Sequence, residues 1–280
     1  MSTKRLLGVF AHPDDEGMIG GALLQYNTVG VETGLVYATR GEVGEISNPT
    51  LATPENLGQV REQEMRTAAE ALHVQNLWFL DYRDSGMAGT PENQDPRAFA
   101  RVSSADAVGK LVAIIRKFRP QVIVTFDESG AYGHPDHIAI YQYTTSAFHA
   151  AADAALYPEL GPAHATPKLY YASFPRSAIL AISEWSGAQE DYGSVFKGLD
   201  PNKLGLSDEQ IAVRLNVEAW QEAKAHSWAM HRTQMGPNTT MAQIPEELQR
   251  RWRSIECYQL ATSRVGPDVI GENDLFARVL

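Results

Sequence analysis

Residues 6–16 read LLGVFAHPDDE, in which six uncharged residues lead directly into a histidine, a proline and three carboxylates. The first six residues have the length and composition of a buried strand, and residues 17–29 continue in a helical pattern. Ligands of open α/β sheets bind outside the carboxyl ends of the strands. The polar residues 12–16 therefore occupy the position at which such a fold carries a binding site.

The first 180 residues alternate apolar runs with helical patterns. The predicted strands are residues 6–11, 31–39, 76–80, 121–126 and 168–174, and the predicted helices are residues 17–29, 60–72, 105–118 and 137–152. This alternation predicts an α/β fold, a Rossmann-like three-layer sandwich with a mostly parallel sheet. Residues 81–103 interrupt the pattern with a long polar loop, and loops of that length are often functional.

Residues 181–280 are predicted to form a mainly helical extension. The spacing of Ser207 and Gln210 is typical of a capping box, which indicates the start of a long helix. The predicted elements are a helix over 211–234, a helix over 246–253 and a strand over 256–261.

No repeat or low-complexity linker separates the extension from the rest of the chain. We therefore expect one domain over residues 1–280. In it, residues 181–280 pack on the sandwich formed by residues 1–180 and shape its pocket.

A second polar motif, Tyr132-Gly133-His134-Pro135-Asp136-His137, follows the fourth predicted strand. It repeats the His-Pro-Asp order of residues 12–14, again between a strand and a helix. In the strand order common to such folds, the first and fourth strands are neighbours at a switch point. We therefore expect the two loops to face one cleft.

Imidazoles and carboxylates without sulfur suit zinc, with iron(II) or another divalent metal as the alternative. The single cysteine, Cys257, permits neither a disulfide nor a two-cysteine metal motif. A catalytic zinc needs three protein ligands and one open position, and His12, Asp15 and His137 supply such a set. The alternative is that His12 and Asp15 only cap a helix.

The remaining groups of the two motifs suit proton transfer. Asp14 is free to act as the general base toward water. His134, in its cationic form, suits the stabilisation of an oxyanion or the protonation of a leaving amine. Asp136 suits the orientation of a histidine through its ring N–H.

The chain carries a formal net charge of −10, from 24 Lys and Arg against 34 Asp and Glu. This charge opposes contact with phosphate backbones, so nucleic acid is not an expected partner. The apolar run at residues 6–11 is too short for a signal peptide, and no stretch is long enough to span a membrane. We expect a cytoplasmic protein with no membrane partner, and the sequence leaves the oligomeric state open, with a homo-oligomer as one alternative.

Both His-Pro-Asp motifs resemble those of the LmbE-like zinc de-N-acetylases, the N-acetylglucosaminyl-phosphatidylinositol de-N-acetylase family. Residues 39–45 (TRGEVGE) and Arg61 are similar to further parts of the family pattern. Residues 82–90 (YRDSGMAGT) and 130–137 (GAYGHPDH) look like the mycothiol-biosynthesis deacetylases of that family. Residues 45–49 (EISNP) and 274–277 (DLFA), in contrast, look more like the mycothiol S-conjugate amidases.

This resemblance implies a role for each matching residue. It implies zinc on His12, Asp15 and His137, with Asp14 as the base. It also implies that His134 is held by Asp136 and acts as the electrostatic or acid partner, and that Tyr132 stabilises the tetrahedral intermediate. The residues that it implies for contact with the sugar and its inositol are Glu45, Arg61 and Asp84.

The implied activity is a zinc-dependent hydrolase that removes the N-acetyl group from a small amino-sugar conjugate, such as N-acetylglucosaminyl-inositol. The first alternative is an amidase that cleaves a larger acyl group from a glucosamine conjugate, such as a mycothiol S-conjugate. A dinucleotide-binding oxidoreductase is a second alternative, but the glycine fingerprint is absent. A non-catalytic sugar- or metal-binding module is the third.

Overall fold

A computed structural model describes residues 3–187, 200–236, 239–266 and 272–279. Seven strands in this part of the chain form one sheet in the order β3-β2-β1-β4-β5-β7-β6. The strands are β1 (Arg5–Phe10), β2 (Glu32–Tyr37), β3 (Asn76–Phe79), β4 (Val122–Phe126), β5 (Lys168–Ser173), β6 (Val213–Asn216) and β7 (Ile255–Ser263).

The first five strands are parallel, and β7 runs antiparallel to both β5 and β6. Strand β1 lies between β2 and β4 in the sheet. Leu6 of β1 is in register with Val122 of β4. The polar loops that follow β1 and β4 therefore share one edge of the sheet at its topological switch point. This confirms the predicted α/β class with a mostly parallel sheet.

Helices connect the strands. They are α1 (Gly20–Thr28), α2 (Leu57–Ala71), α3 (Ser104–Phe118), α4 (Gly130–Gly133), α5 (Pro135–Ala152), α6 (Arg176–Gly187), α7 (Gln221–Ala229), α8 (Thr240–Gln243) and α9 (Glu246–Arg253). Helix α3 packs against α5, while α2 and α1 pack against α7. The apolar runs of β1, β2, β4 and β5 are buried between these helices, as Leu6 to Phe10 of β1 illustrate, whereas β3 is only partly buried.

The prediction of one long helix over residues 211–234 is wrong. The Ser207–Gln210 signal begins only a short 3-10 turn, in which the Ser207 N–H donates to Gln210 Oε1 over 2.9 Å. After it the side chains at 211, 213, 215 and 217 are buried, and those between them are not. This alternation is the period of a strand, and residues 213–216 form β6, before α7 begins at Gln221.

The extension is also less helical than expected, because β6 and β7 complete the sheet begun by the first 180 residues. The predicted strand over 256–261 corresponds to β7, and the predicted helix over 246–253 to α9. Within the described ranges, no helix combines the length and the apolar character that crossing a bilayer requires.

Glu256 of β7 joins the extension to the first helix of the sandwich. Its buried carboxylate accepts the N–H groups of Gly21 (2.7 Å) and Ala22 (2.9 Å) in the first turn of α1. It also accepts the Tyr258 hydroxyl (2.7 Å) and pairs with the buried Lys224 ammonium (2.5 Å). N–H groups in the first turn of a helix have no partner within the helix, so Glu256 satisfies donors that would otherwise be buried and unpaired.

We predict that Glu256→Ala lowers the free energy of unfolding by about 3–5 kcal/mol, because it leaves the Lys224 charge buried without a counterion. Urea unfolding followed by circular dichroism measures the change. Glu246→Ala is the matched control, since Glu246 is 67% exposed in its pair with Arg253 and should lose less than about 1 kcal/mol. Equal losses in the two variants would contradict the role of Glu256.

Candidate active site

The loop after β1 folds around the carboxylate of Asp15. Asp15 Oδ2 accepts the backbone N–H groups of His12 (2.8 Å) and Ala11 (3.1 Å). Asp14 precedes a short 3-10 turn over Asp15–Met18 and has φ of 95°. A positive φ is uncommon for a residue with a side chain and is tolerated best by Asn and Asp.

The loop after β4 places its polar groups at the start of α5. His134 is the N-cap of that helix, Pro135 follows in the first turn, and His134 Nδ1 accepts the Asp136 N–H over 3.2 Å. Asp127 fixes the preceding turn, because its Oδ1 accepts the N–H groups of Ser129 (3.0 Å) and Ala131 (3.2 Å). The second His-Pro-Asp motif therefore caps a helix and faces the site at the same time.

Two imidazoles and a carboxylate converge where the loops meet. His12 Nδ1 lies 3.2 Å from His137 Nε2, and Asp15 Oδ1 lies 3.4 Å from that same nitrogen. The other nitrogen of each ring faces an oxygen: His12 Nε2 is 3.1 Å from Asp136 Oδ2, and His137 Nδ1 is 3.1 Å from the Gly130 carbonyl. When each neutral ring carries its proton on the nitrogen that faces one of these acceptors, the other two nitrogens present lone pairs to each other.

This donor set fits a divalent metal. Ligands about 2.0–2.1 Å from a tetrahedral zinc lie about 3.3 Å from one another. The two contacts of His137 Nε2 measure 3.2 and 3.4 Å, and the closest approach of His12 to Asp15, between Nδ1 and Oδ2, is 3.8 Å. Facing lone pairs repel unless a cation or a proton lies between them. The structure thus brings the three predicted ligands, His12, Asp15 and His137, close together. The structure also brings His134 into ligand distance, because its donor atom and those of His12 and His137 all lie within 4.8 Å of one another.

Asp14 lies beside this cluster and contacts Arg61. Arg61 Nη2 is 3.2 Å from Asp14 Oδ2 and 2.6 Å from the Pro13 carbonyl, while its Nη1 donates to Gly41 over 2.9 Å. The guanidinium is buried and joins the loop after β1 to the loop after β2, whereas the Asp14 side chain is 25% exposed. Arg61, predicted to contact substrate, holds Asp14 and the loops in place.

Asp136 orients a different histidine from the one that the resemblance implied. Its carboxylate accepts from His12 Nε2 and from the Ser85 N–H over 2.9 Å, and it also bonds the Ser85 hydroxyl. Its contact with His134 runs through its backbone N–H instead. The assignment of Asp136 as the residue that holds His134 is therefore corrected, since the carboxylate supports His12.

The other predicted residues lie around this centre. The ring centroid of Tyr132 is 5.0 Å from that of His137. Asp84 is buried, with Oδ1 3.6 Å from His12 Nε2 and 2.8 Å from the Gly86 N–H. Glu45 is exposed, and its backbone carbonyl accepts from Gln234 Nε2 over 2.8 Å.

The pKa values of the buried groups follow burial and neighbouring charge. Burial raises the pKa of Asp15 to about 7, although the nearby His12 opposes this. Burial and the charge of His12 lower the pKa of His137 well below its usual range and that of His134 to about 3. Burial also tends to lower the pKa of His12. The neighbouring carboxylates, Asp84 foremost, have the larger effect, so the pKa of His12 is raised. The lowered pKa of His134 favours its neutral form over the cationic form expected from the sequence.

Two residues of the site were missed by sequence reasoning. Glu16 is buried and accepts from Tyr37, from the Asp14 N–H and from His231 Nε2. His231 lies 215 residues away along the chain, in the extension. The only sequence signal for Glu16 is its place beside Asp14 and Asp15, and no local pattern indicates His231.

Comparison with known proteins identifies the family. The model of the GlcNAc-PI de-N-acetylase (PIG-L) family matches residues 7–148, just over half of the 280-residue chain. The chain is 37% identical over 287 residues to the 1D-myo-inositol 2-acetamido-2-deoxy-alpha-D-glucopyranoside deacetylase of Geodermatophilus obscurus, covering 98% of each. This chain belongs to the PIG-L family. A deacetylase of the same description from Rhodococcus erythropolis is 36% identical, over 98% of this chain and 97% of that one.

Solved structures share the fold of this PIG-L family member. N,N'-diacetylchitobiose deacetylase from Pyrococcus horikoshii has a TM-score of 0.65 at 18% identity, covering 92% of this chain and 84% of that one. The 4-carboxy-2-hydroxymuconate hydratase GalB of Pseudomonas putida has a TM-score of 0.60 at 18% identity, covering 95% and 100%. The family match thus confirms the resemblance predicted from the motifs, and these structures confirm the fold.

We predict that His12→Ala loses bound divalent metal, with at least about a tenfold drop in affinity, because it removes one of three converging donors. Metal content of the purified protein, measured by plasma mass spectrometry, checks this. His149→Ala, at an exposed position of α5, is the control and should keep the metal content of the wild type. Stoichiometric metal in the His12→Ala variant would exclude His12 as a ligand.

Proposed function

We propose that this chain hydrolyses the acetamide of an N-acetylglucosamine joined to inositol, with a divalent metal held by His12, Asp15 and His137. One observation carries the proposal: the donor atoms of His12, His137 and Asp15 approach one another to 3.2, 3.4 and 3.8 Å, and the adjacent Asp14 side chain is 25% exposed. Full-length relatives described as 1D-myo-inositol 2-acetamido-2-deoxy-alpha-D-glucopyranoside deacetylases support the substrate class. Zinc is the metal that the donor set suits best, with iron(II) as the alternative.

A divalent cation held by these donors supplies Lewis-acid polarisation of an amide carbonyl and makes water more acidic. Asp14 accepts a proton from the attacking water, since its carboxylate is partly exposed and Arg61 holds it in one orientation. The Asp14 carboxyl then carries the proton that the departing amine requires. One residue thus acts first as base and then as acid.

His134 and Tyr132 donate hydrogen bonds to the developing oxyanion in this proposal. His134 Nδ1 accepts a backbone N–H, so the proton of the neutral ring lies on Nε2 and is available for donation. Burial, with Asp15 next in effect, raises the pKa of Tyr132, so its hydroxyl keeps its proton. Preorganised donors of this kind typically contribute about 10²–10³ in rate.

The extension helps to shape the sugar-binding side of the site in this proposal. Ser47 N–H donates to the Thr233 carbonyl over 2.8 Å, and Gln234 Nε2 donates to the Glu45 carbonyl over 2.8 Å. These bonds attach residues of the extension to the loop that carries Glu45. Glu45 and Asp84 are the proposed sugar contacts. The cytoplasmic location and a homo-oligomeric state stay predictions.

We predict that Asp14→Asn lowers kcat by roughly a thousandfold, because general bases typically contribute 10²–10⁴. Asparagine tolerates a positive φ, so the loop should keep its fold and its metal. Asp153→Asn, at an exposed position after α5, is the control and should retain full activity. Near-wild-type turnover by the Asp14→Asn variant would show that another group is the base.

A substrate panel distinguishes the deacetylase from the amidase. We expect release of amine from N-acetylglucosaminyl-inositol, with a kcat/KM at least about tenfold above that for a bulky cysteinyl amide of the same glucosamine conjugate. Quantification of the freed primary amine with a fluorogenic reagent provides the measurement. Preference for the bulky amide would favour the amidase instead, and no turnover of either compound would favour a binding module.

A further inference from the structure

The backbone of Asp14 has a conformation that its surroundings must hold. Its φ of 95° and ψ of −20° lie in the left-handed region, which L-residues other than glycine rarely adopt. The direction of the Asp14 carboxylate depends on this conformation, because a change of φ rotates the side chain about the backbone. A small misplacement of a reacting group can cost about a hundredfold in rate.

Contacts on both sides of Asp14 hold this conformation. On one side, the Asp14 N–H donates to Glu16 Oε2 over 3.0 Å. On the other, Arg61 Nη2 contacts both Asp14 Oδ2 and the Pro13 carbonyl. Glu16 is therefore one of the groups that hold the Asp14 backbone, together with Arg61 and the Gly17 N–H, which donates to the Asp14 carbonyl over 3.1 Å.

Glu16 is itself fixed by donors from two distant segments. Its side chain is 2% exposed, and its Oε2 accepts the Tyr37 hydroxyl over 2.9 Å in addition to the Asp14 N–H. Its Oε1 lies 2.5 Å from His231 Nε2. With three donors around it, the Glu16 carboxylate acts only as an acceptor.

His231 reaches Glu16 from the turn that follows α7. The turn is anchored to α2, because the N–H and hydroxyl of Thr233 donate to Glu64 over 2.8 and 2.6 Å. The His231 side chain is 0% exposed, and among the described residues the only hydrogen-bonding contact of its ring is with Glu16. Its polar contact with the site runs through Glu16.

We propose that His231 is a positioning residue for the reaction: through Glu16 it holds Asp14 in the backbone conformation that directs the base. If His231 served only to fill space in the core, the presence of a polar ring at this position would be harder to explain. The Nδ1 of His231 is buried without a hydrogen-bond partner in the described part of the chain, which costs folding free energy that an apolar side chain of similar size would avoid. The proposal rests on the proposed function, since it assigns Asp14 as the base.

The test compares two variants at position 231 with a matched buried histidine elsewhere. His231→Gln keeps an N–H donor near the position of Nε2, and His231→Leu removes it. The control is His164→Leu, because His164 is also buried with one hydrogen bond, to the Pro120 carbonyl at the opposite edge of the sheet (2.7 Å). For each protein we would measure kcat and KM on N-acetylglucosaminyl-inositol, the metal content and the folded fraction.

For His231→Leu we expect kcat to fall by about ten- to a hundredfold at unchanged KM and metal content. His231→Gln should recover most of this loss, and His164→Leu should keep its kcat per folded molecule. Equal losses in the Gln and Leu variants, or an equal loss in His164→Leu, would overturn the proposal.

A crystal structure of the His231→Leu variant separates this inference from the proposed function. If the wild-type protein does not hydrolyse the acetamide, the proposed function fails, and the structure of the variant still tests the role of His231. Asp14 should then leave the positive-φ region and lose its contact with Glu16. An unchanged Asp14 in that structure would refute the positioning role.

Discussion

The arrangement of the site depends on the neutralisation of carboxylates that are gathered at one edge of the sheet. Asp15, Glu16, Asp84 and Asp136 are all largely buried there, with side-chain exposures of 9%, 2%, 5% and 0%. Buried carboxylates are costly unless donors or cations surround them. The surrounding chain supplies those donors, and the remaining lone pairs of Asp15 and the imidazoles are the ones that a divalent cation would satisfy.

The donors come from segments that are remote in sequence, so the long loop and the extension both contribute to the structure of the site. Ser85 of the loop over residues 81–103 holds Asp136, and Asp136 in turn holds His12. His231 of the extension holds Glu16. A sheet of five parallel strands alone would bring the two His-Pro-Asp motifs together, but it would leave these supporting contacts unmade.

The sequence was sufficient for the parts that depend on local patterns. Apolar runs and helical spacing predicted the five parallel strands, and the two motifs predicted which loops meet. The strand over residues 213–216 was missed because the capping signal at Ser207 suggested a helix, while the alternating burial that follows reflects tertiary pairing with β7. The partners of Asp136 and Glu16 depend on how rings and carboxylates face one another across separations of 124 and 215 residues, which no local pattern encodes.

The fold alone does not determine the chemistry of this protein. A deacetylase and a hydratase match it with TM-scores of 0.65 and 0.60 at the same 18% identity, so similarity of shape does not distinguish hydrolysis of an amide from addition of water. In the proposed function, the distinction lies in the groups beside His12, Asp15 and His137. A carboxylate that can accept a proton from water and return it to an amine suits amide hydrolysis, and the contacts of Asp14 with Arg61 and Glu16 fix the carboxylate that would carry out this cycle.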